Sequence, residues 1–279
     1  MGKFDKVKTK DLDYNNKEEA LEIVNRFKEK YLHGNIEELK DFSFWYILTD
    51  TEFNGVSLKG DTFDGDRTRI VYAIDKLLYN EKGIPDFNLG TNYTGDTINT
   101  FRTLFGNRFN NTEEYVEKLF DFTPEQIIIK NNFFRTYQKI GNFYILPTEK
   151  YSITKKTLNT YRGTDKNYKD FFDVFIRNLY SNEDVILVSL KQEDNNKEFF
   201  EKFKSKKDFC DLFDLSENID FHHPATKNGV KCNYRNFKYL NITKEEYINF
   251  AFNYIDEATI LINNRSEIIV NKLKKELNS

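Results

Sequence analysis

Sulfur, proline and tryptophan are all scarce in this chain of 279 residues, which has two Cys, one Met, four Pro and one Trp. Two cysteines exclude a disulfide framework and fit a reducing compartment, so Cys210 and Cys232 are expected as buried thiols. Neither sign of charge dominates: 42 Lys and Arg stand against 45 Asp and Glu, a net charge of -3. No global field therefore draws the chain to nucleic acid or to an acidic membrane. No run approaches the roughly 18 apolar residues of a membrane helix, and MGKFDKVKTKDLDYNNKEEA has no apolar signal-peptide core. The myristoylation pattern fails at its sixth place. A cytoplasmic location with no membrane partner is the expectation. Walker A, paired G-x-G-x-x-G, G-x-S-x-G and H-E-x-x-H patterns are all missing, which removes the common nucleotide and hydrolase signatures.

What is abundant is aromatic carbon. Hydrophobic residues make up 39% of the chain and include 27 Phe and 17 Tyr, so a sizeable core built from rings is expected. The excess of Lys, Asn, Ile, Phe and Tyr resembles translation from an AT-rich genome, pointing to a low-GC bacterium or its phage and, from source alone, to a stress or phage-defence setting.

Hydrophobic spacing makes the chain mainly helical with a small β component. Asn16 with Glu19 resembles a capping box ahead of the stripe Ala20, Val24, Phe27 and Tyr31, which Gly34 ends. Ile70 to Tyr79 reads as a second helix. Gly95-Asp96-Thr97 reads as a loop entering a helix, while Thr123-Pro124-Glu125-Gln126 is a strong helix start. IGNFYILP looks extended, and Asp184 to Leu190, DVILVSL, is the best strand candidate. One or two helices, broken near Ser205, fill residues 196–215. Thr243 and Glu246 cap a long C-terminal helix suited to be a spine or a homodimer element. Asp61, Asp64 and Asp66 do not match the calcium-loop spacing. The expected organisation is an N-terminal helical segment (1–42), a central pocket domain (43–190) and a C-terminal helical lobe (191–279).

Chemistry is sought between Gly90 and Leu179, where Arg, Asn and Asp fall beside Gly and aromatic residues. Five of the ten arginines lie there. Arg102, Arg135 and Arg162 are candidate contacts for phosphate or carboxylate oxygens, which guanidinium forks match bidentately. Asp96, Asn99, Asn142 and Asn159 complete the candidate ligand set, and the N–H groups of the GDT turn would add to it at a helix start. Internal ion pairs with Asp96, Asp170 and Asp173 are the structural alternative. Asp170 and Asp173, three apart on one helix, could hold Mg²⁺ given a third oxygen ligand. His222 and His223 are candidate general bases in a loop; with Cys210 and Cys232 their spacing does not fit zinc. Tyr234, Arg235, Phe237, Lys238 and Tyr239 interleave rings with cations as a nucleic-acid surface would.

The segments GDTINTFRTLFG, RTYQKIGNFYILP, LNTYRG and KDFFDVFIRNL together resemble an uncharacterised family of bacterial cytosolic proteins. The resemblance covers roughly Asp61 to Leu190, rests on Asp96 with Asn99 and Gly141 with Asn142, and implies no activity. The leading expectation is a protein that binds or acts on a phosphate-bearing small molecule, a nucleotide first. A protein-interaction module and an RNA-acting protein are the alternatives.

Overall fold

A computed structural model describes residues 17–47, 50–54, 68–79, 82–84, 93–97, 104–105, 117, 120–150, 152–164, 172–216, 219, 221 and 242–278. The first helix, α1 (Lys17–Tyr31), buries Ala20, Ile23, Val24 and Phe27. Gly34 ends it with φ +77, a left-handed value that glycine adopts without penalty. A 3-10 turn over Ile36–Lys40 follows, capped by the Asn35 side chain, and a second covers Phe44–Ile47. The short α2 (Thr51–Asn54) and the apolar α3 (Arg69–Tyr79) come next. Helix α1 packs along α3.

The β component is a two-stranded antiparallel sheet of β1 (Tyr93–Thr97) and β2 (Phe143–Pro147), with Gly95 opposite Ile145 and Thr97 opposite Phe143. Gly95-Asp96-Thr97 therefore lies in a strand and not in the expected loop. The helix expected to follow it at residues 98–103 lies outside the described residues. Between the strands runs α4 (Pro124–Thr136), opened by a full capping box of Thr123 and Gln126.

Beyond β2 come α5 (Leu158–Thr164), α6 (Phe172–Ser181), α7 (Val185–Lys191), α8 (Asp194–Lys202) and α9 (Lys206–Leu212). Helix α7 corrects the strand expected at residues 184–190. Asp184 caps it, accepting from the backbone N–H of Ile186 and Leu187, and only one side is apolar, with Leu187 and Leu190 buried and Val185 76% exposed. A cap that satisfies two orphan donors favours the helix over a strand with no ladder to join. Ser205 caps α9 and breaks the chain where the sequence predicts.

The last helix, α10 (Lys244–Leu277), is 34 residues long and starts with the capping box of Thr243 and Glu246. Ala251, Tyr254, Ala258, Ile262, Arg265, Ile269 and Leu273 form its inward stripe. It packs against α3, α4 and the turns at Ile36–Lys40 and Ile140–Asn142. One hydrophobic cluster runs from α1 through the sheet to this helix, with Phe27, Phe44 and Phe143 in ring contact along it.

Candidate functional site

The polar centre of the core is an arginine outside the stretch that the sequence pattern favours. Arg265 sits on the inward stripe of α10 and is 1% exposed. Its Nε donates to the Phe213 carbonyl at 2.6 Å, and Nη1 donates to the carbonyls of Gly141 and Phe143 at 2.8 and 2.7 Å. Nη2 donates to the Tyr79 hydroxyl at 2.7 Å. The guanidinium carbon also stands 4.3 Å from the centre of the Tyr144 ring, a cation–π contact. Four acceptors and a ring replace the lost water shell, which is what a buried guanidinium requires.

Gly141 explains how α10 comes so close. A Cβ there would lie 2.0 Å from the Ile262 carbonyl and 2.5 Å from Ser266 Oγ. The Gly141 N–H donates to that hydroxyl at 3.0 Å, and the hydroxyl donates to the Ile262 carbonyl at 2.9 Å. Beside Arg265, the carboxyl of Asp75 is 4% exposed; burial pushes its pKa up to about 8, with the Arg265 charge opposing. The Asp75 carboxyl is thus neutral over much of the physiological range.

The expected site residues divide. Asn142 is fully buried and donates through Nδ2 to the Tyr137 carbonyl at 2.7 Å, fixing the turn before β2. Arg135 is exposed near the end of α4, and Asn159 is half-buried on α5. Asp96 is placed in β1 and Arg162 in α5 by their backbones. Asn99, Arg102, Asp170, His222 and His223 lie outside the described residues. Asp173 is buried and accepts from the Tyr254 hydroxyl at 2.9 Å and from the Phe221 N–H at 3.2 Å. This ties α6 to α10 and to the residue preceding His222. Among the described residues no group of three His, Cys, Asp or Glu could hold a metal ion.

A surface concavity is formed instead by α6, α7 and α8. Its volume is about 180 Å³, and it is lined by Tyr180, Lys191, Gln192, Lys197, Phe200, Glu201 and Lys204. Three lysines face one glutamate. Lys191 donates to the Leu179 carbonyl at 2.7 Å and to Asn182 Oδ1 at 3.1 Å, and its Nζ stands 5.6 and 5.9 Å from the ring centres of Tyr180 and Phe200. Burial lowers its pKa. Lys197 and Glu201 approach to 3.7 Å with both side chains more than half exposed, a pairing that water and salt leave weak. None of these lysines is a candidate by sequence pattern. The available signal is their alternation with Phe199, Phe200 and Phe203, which along the chain reads only as a helical stretch rich in Phe and Lys.

A family model described as a family of unknown function, DUF6994, matches residues 86–269. The chain belongs to that family. Its match runs well past Leu190 and corrects the extent taken from the motifs, because the DUF6994 region includes α6 to α9 and α10 as far as Ile269. Arg265, its three carbonyl partners and the lysine-lined concavity fall within it, whereas Tyr79 precedes it. No curated protein and no solved structure matches the chain. No described helix is long and apolar enough to cross a membrane.

Proposed function

We propose that the protein binds a phosphate-bearing small molecule in the concavity between α6, α7 and α8. The observation that carries this reading is the charge of that surface, where Lys191, Lys197 and Lys204 surround a hollow containing the single carboxylate of Glu201. Ammonium groups on flexible stems suit phosphate as point charges. A volume of about 180 Å³ takes a phosphate group with a small substituent; a nucleotide would place its phosphate on the lysines and its base toward the edge of Tyr180. The reading concerns binding and assigns no reaction. The setting that goes with it is bacterial and cytosolic, in stress or phage defence, on the support of composition alone.

The test is a thermal-shift and calorimetric screen of phosphate, sugar phosphates and nucleotides. A ligand at 100 times its dissociation constant stabilises by about 2.7 kcal/mol, a shift of several degrees for a chain near this size. Lys197→Ala with Lys204→Ala should abolish that shift while leaving the unliganded melting temperature unchanged. A flat panel, or a shift that survives the double substitution, overturns the reading.

Exposed aromatics favour a second reading, a protein partner. Trp45 and Tyr46 are 43% and 73% exposed on the Phe44–Ile47 turn. Trp45 is the only tryptophan, so its fluorescence reports that surface alone. Emission that stays unchanged on adding a captured partner would exclude this face.

A further inference from the structure

Cations gather a second time where the chain turns from α9 at Phe213 and Asp214. The Nζ of Lys82 donates to the Leu212 carbonyl at 2.6 Å and lies 3.8 Å from Asp214 Oδ1. The next carbonyl, that of Phe213, is held by Arg265, and the Asp214 carboxylate is paired with Lys272 of α10. Lys202, the last residue of α8, brings its Nζ against Gly83, into the space that a Cβ there would fill. Asp214 has φ +58, a left-handed value, and its turn presents the Leu212 carbonyl to Lys82, the Phe213 carbonyl to Arg265 and its own carboxylate to Lys82 and Lys272.

The charges do not balance. Among the described residues, Lys82, Lys272 and Arg265 bring three positive charges to this corner, Lys202 adds a fourth beside Gly83, and Asp214 brings one negative charge. Asp75, the other acid nearby among the described residues, is buried and kept neutral by that burial up to about pH 8. Tyr79 has its own pKa raised, chiefly by burial, so its phenol supplies no counter-charge, and Tyr144 presents its ring face to Arg265. Lys82 registers the imbalance: burial, then Lys272 and Arg265, bring its pKa down to about 8 against the opposing pull of Asp214. Lys82 and Lys272 nonetheless keep 27% and 34% of their side chains exposed, so an anion can reach them from solvent.

We propose that Lys82, Lys202 and Lys272 form a site for a compact dianion, orthophosphate or the terminal phosphate of a monoester, at the surface above the Arg265 knot. The site is separate from the concavity of Lys191, Lys197 and Lys204. Occupancy would couple to the packing of α3, α9 and α10, because the same turn that carries Asp214 also holds Arg265.

The experiment is NMR titration of the lysine ε-carbon signals with and without orthophosphate, at ionic strength matched by chloride. Lys82 is assigned by its loss in Lys82→Arg. The expected result is an upward move of the Lys82 midpoint by about one pH unit, a tenfold gain in its proton affinity, with phosphate and not with chloride. Lys272→Gln should weaken phosphate at least tenfold. Lys202→Gln, on the exposed rim, makes the same test where loss of the Lys272–Asp214 pair impairs folding. Lys197→Ala with Lys204→Ala should leave the Lys82 response intact, which separates this site from the proposed function. A midpoint that does not move, or that chloride moves equally, overturns the inference. So does a phosphate response confined to Lys191, Lys197 and Lys204.

Discussion

Arg265 and Lys197 carry the same charge inside one protein and have opposite roles. Arg265 is 1% exposed and donates to three carbonyls and a phenol drawn from α3, the β2 region and the turn after α9. Lys197 stands in water beside a weakly held Glu201. Burial converts a cation into a clamp whose partners have no replacement, whereas exposure leaves it able to exchange water for a ligand oxygen. Local density of arginine does not tell these cases apart. Arg135, a candidate for its aromatic and asparagine neighbours, is exposed on α4, and the arginine that organises the core lies in α10.

Removing the clamp should have the largest effect. Arg265→Met keeps volume but strands the acceptors of Phe213, Gly141, Phe143 and Tyr79. It should cost about 3 to 5 kcal/mol, seen as a lowered urea midpoint by circular dichroism or as an unfolded chain. A midpoint within error of wild type would mean that water satisfies those groups. Gly141→Ala should follow at about 1 to 3 kcal/mol, because its methyl would meet the Ile262 carbonyl at 2.0 Å, backbone that cannot step aside. If the loss is instead a few tenths, the approach of α10 is looser than the contact implies.

Asp75→Asn sharpens the comparison through pH. The Asp75 pKa rises from 3.8, the ordinary value for an aspartic acid in water, to about 8 in the fold, so the folded state binds the proton more tightly. Its stabilising contribution is complete below about pH 4 and is lost as pH rises toward 8. The asparagine variant should therefore match wild type only below about pH 4 and exceed it by at least about 1 kcal/mol near pH 9, giving a flatter stability profile. Parallel profiles would show that the carboxylate is charged and paired with Arg265. The smallest effect belongs to the exposed cations: Lys197→Ala with Lys204→Ala should change stability by less than about 0.5 kcal/mol while removing phosphate binding.

Much of the fold is legible because it is written locally. The capping boxes at Thr123 and Thr243, the stop at Gly34 and the break at Ser205 each put a specific donor or acceptor beside an apolar period, and the structure places helix boundaries at all four. DVILVSL misleads because its β-branched residues outweigh one Asp, although that Asp satisfies two backbone N–H groups. GDT misleads because its strand partner lies some 50 residues away, beyond local signals. The Arg265 knot does have a signal in the chain, a cation on the apolar stripe between Ile262 and Ile269, and Asp75 has the same signal within RIVYAIDKLLY. The lysine concavity exists only when α6, α7 and α8 are folded together, so no spacing along the chain could reveal it.

The position of α10 in the chain also bears on synthesis. Its final turns reach back to the beginning, where Lys17 meets Glu276 at 2.6 Å and Glu37 pairs with Lys274. Its middle supplies the one guanidinium on which Tyr79, Gly141, Phe143 and Phe213 converge. On the ribosome, the rings of α1 to α9 stay unsealed until α10 emerges. Ribosome-associated chaperones should be found on the nascent chain until α10 is released.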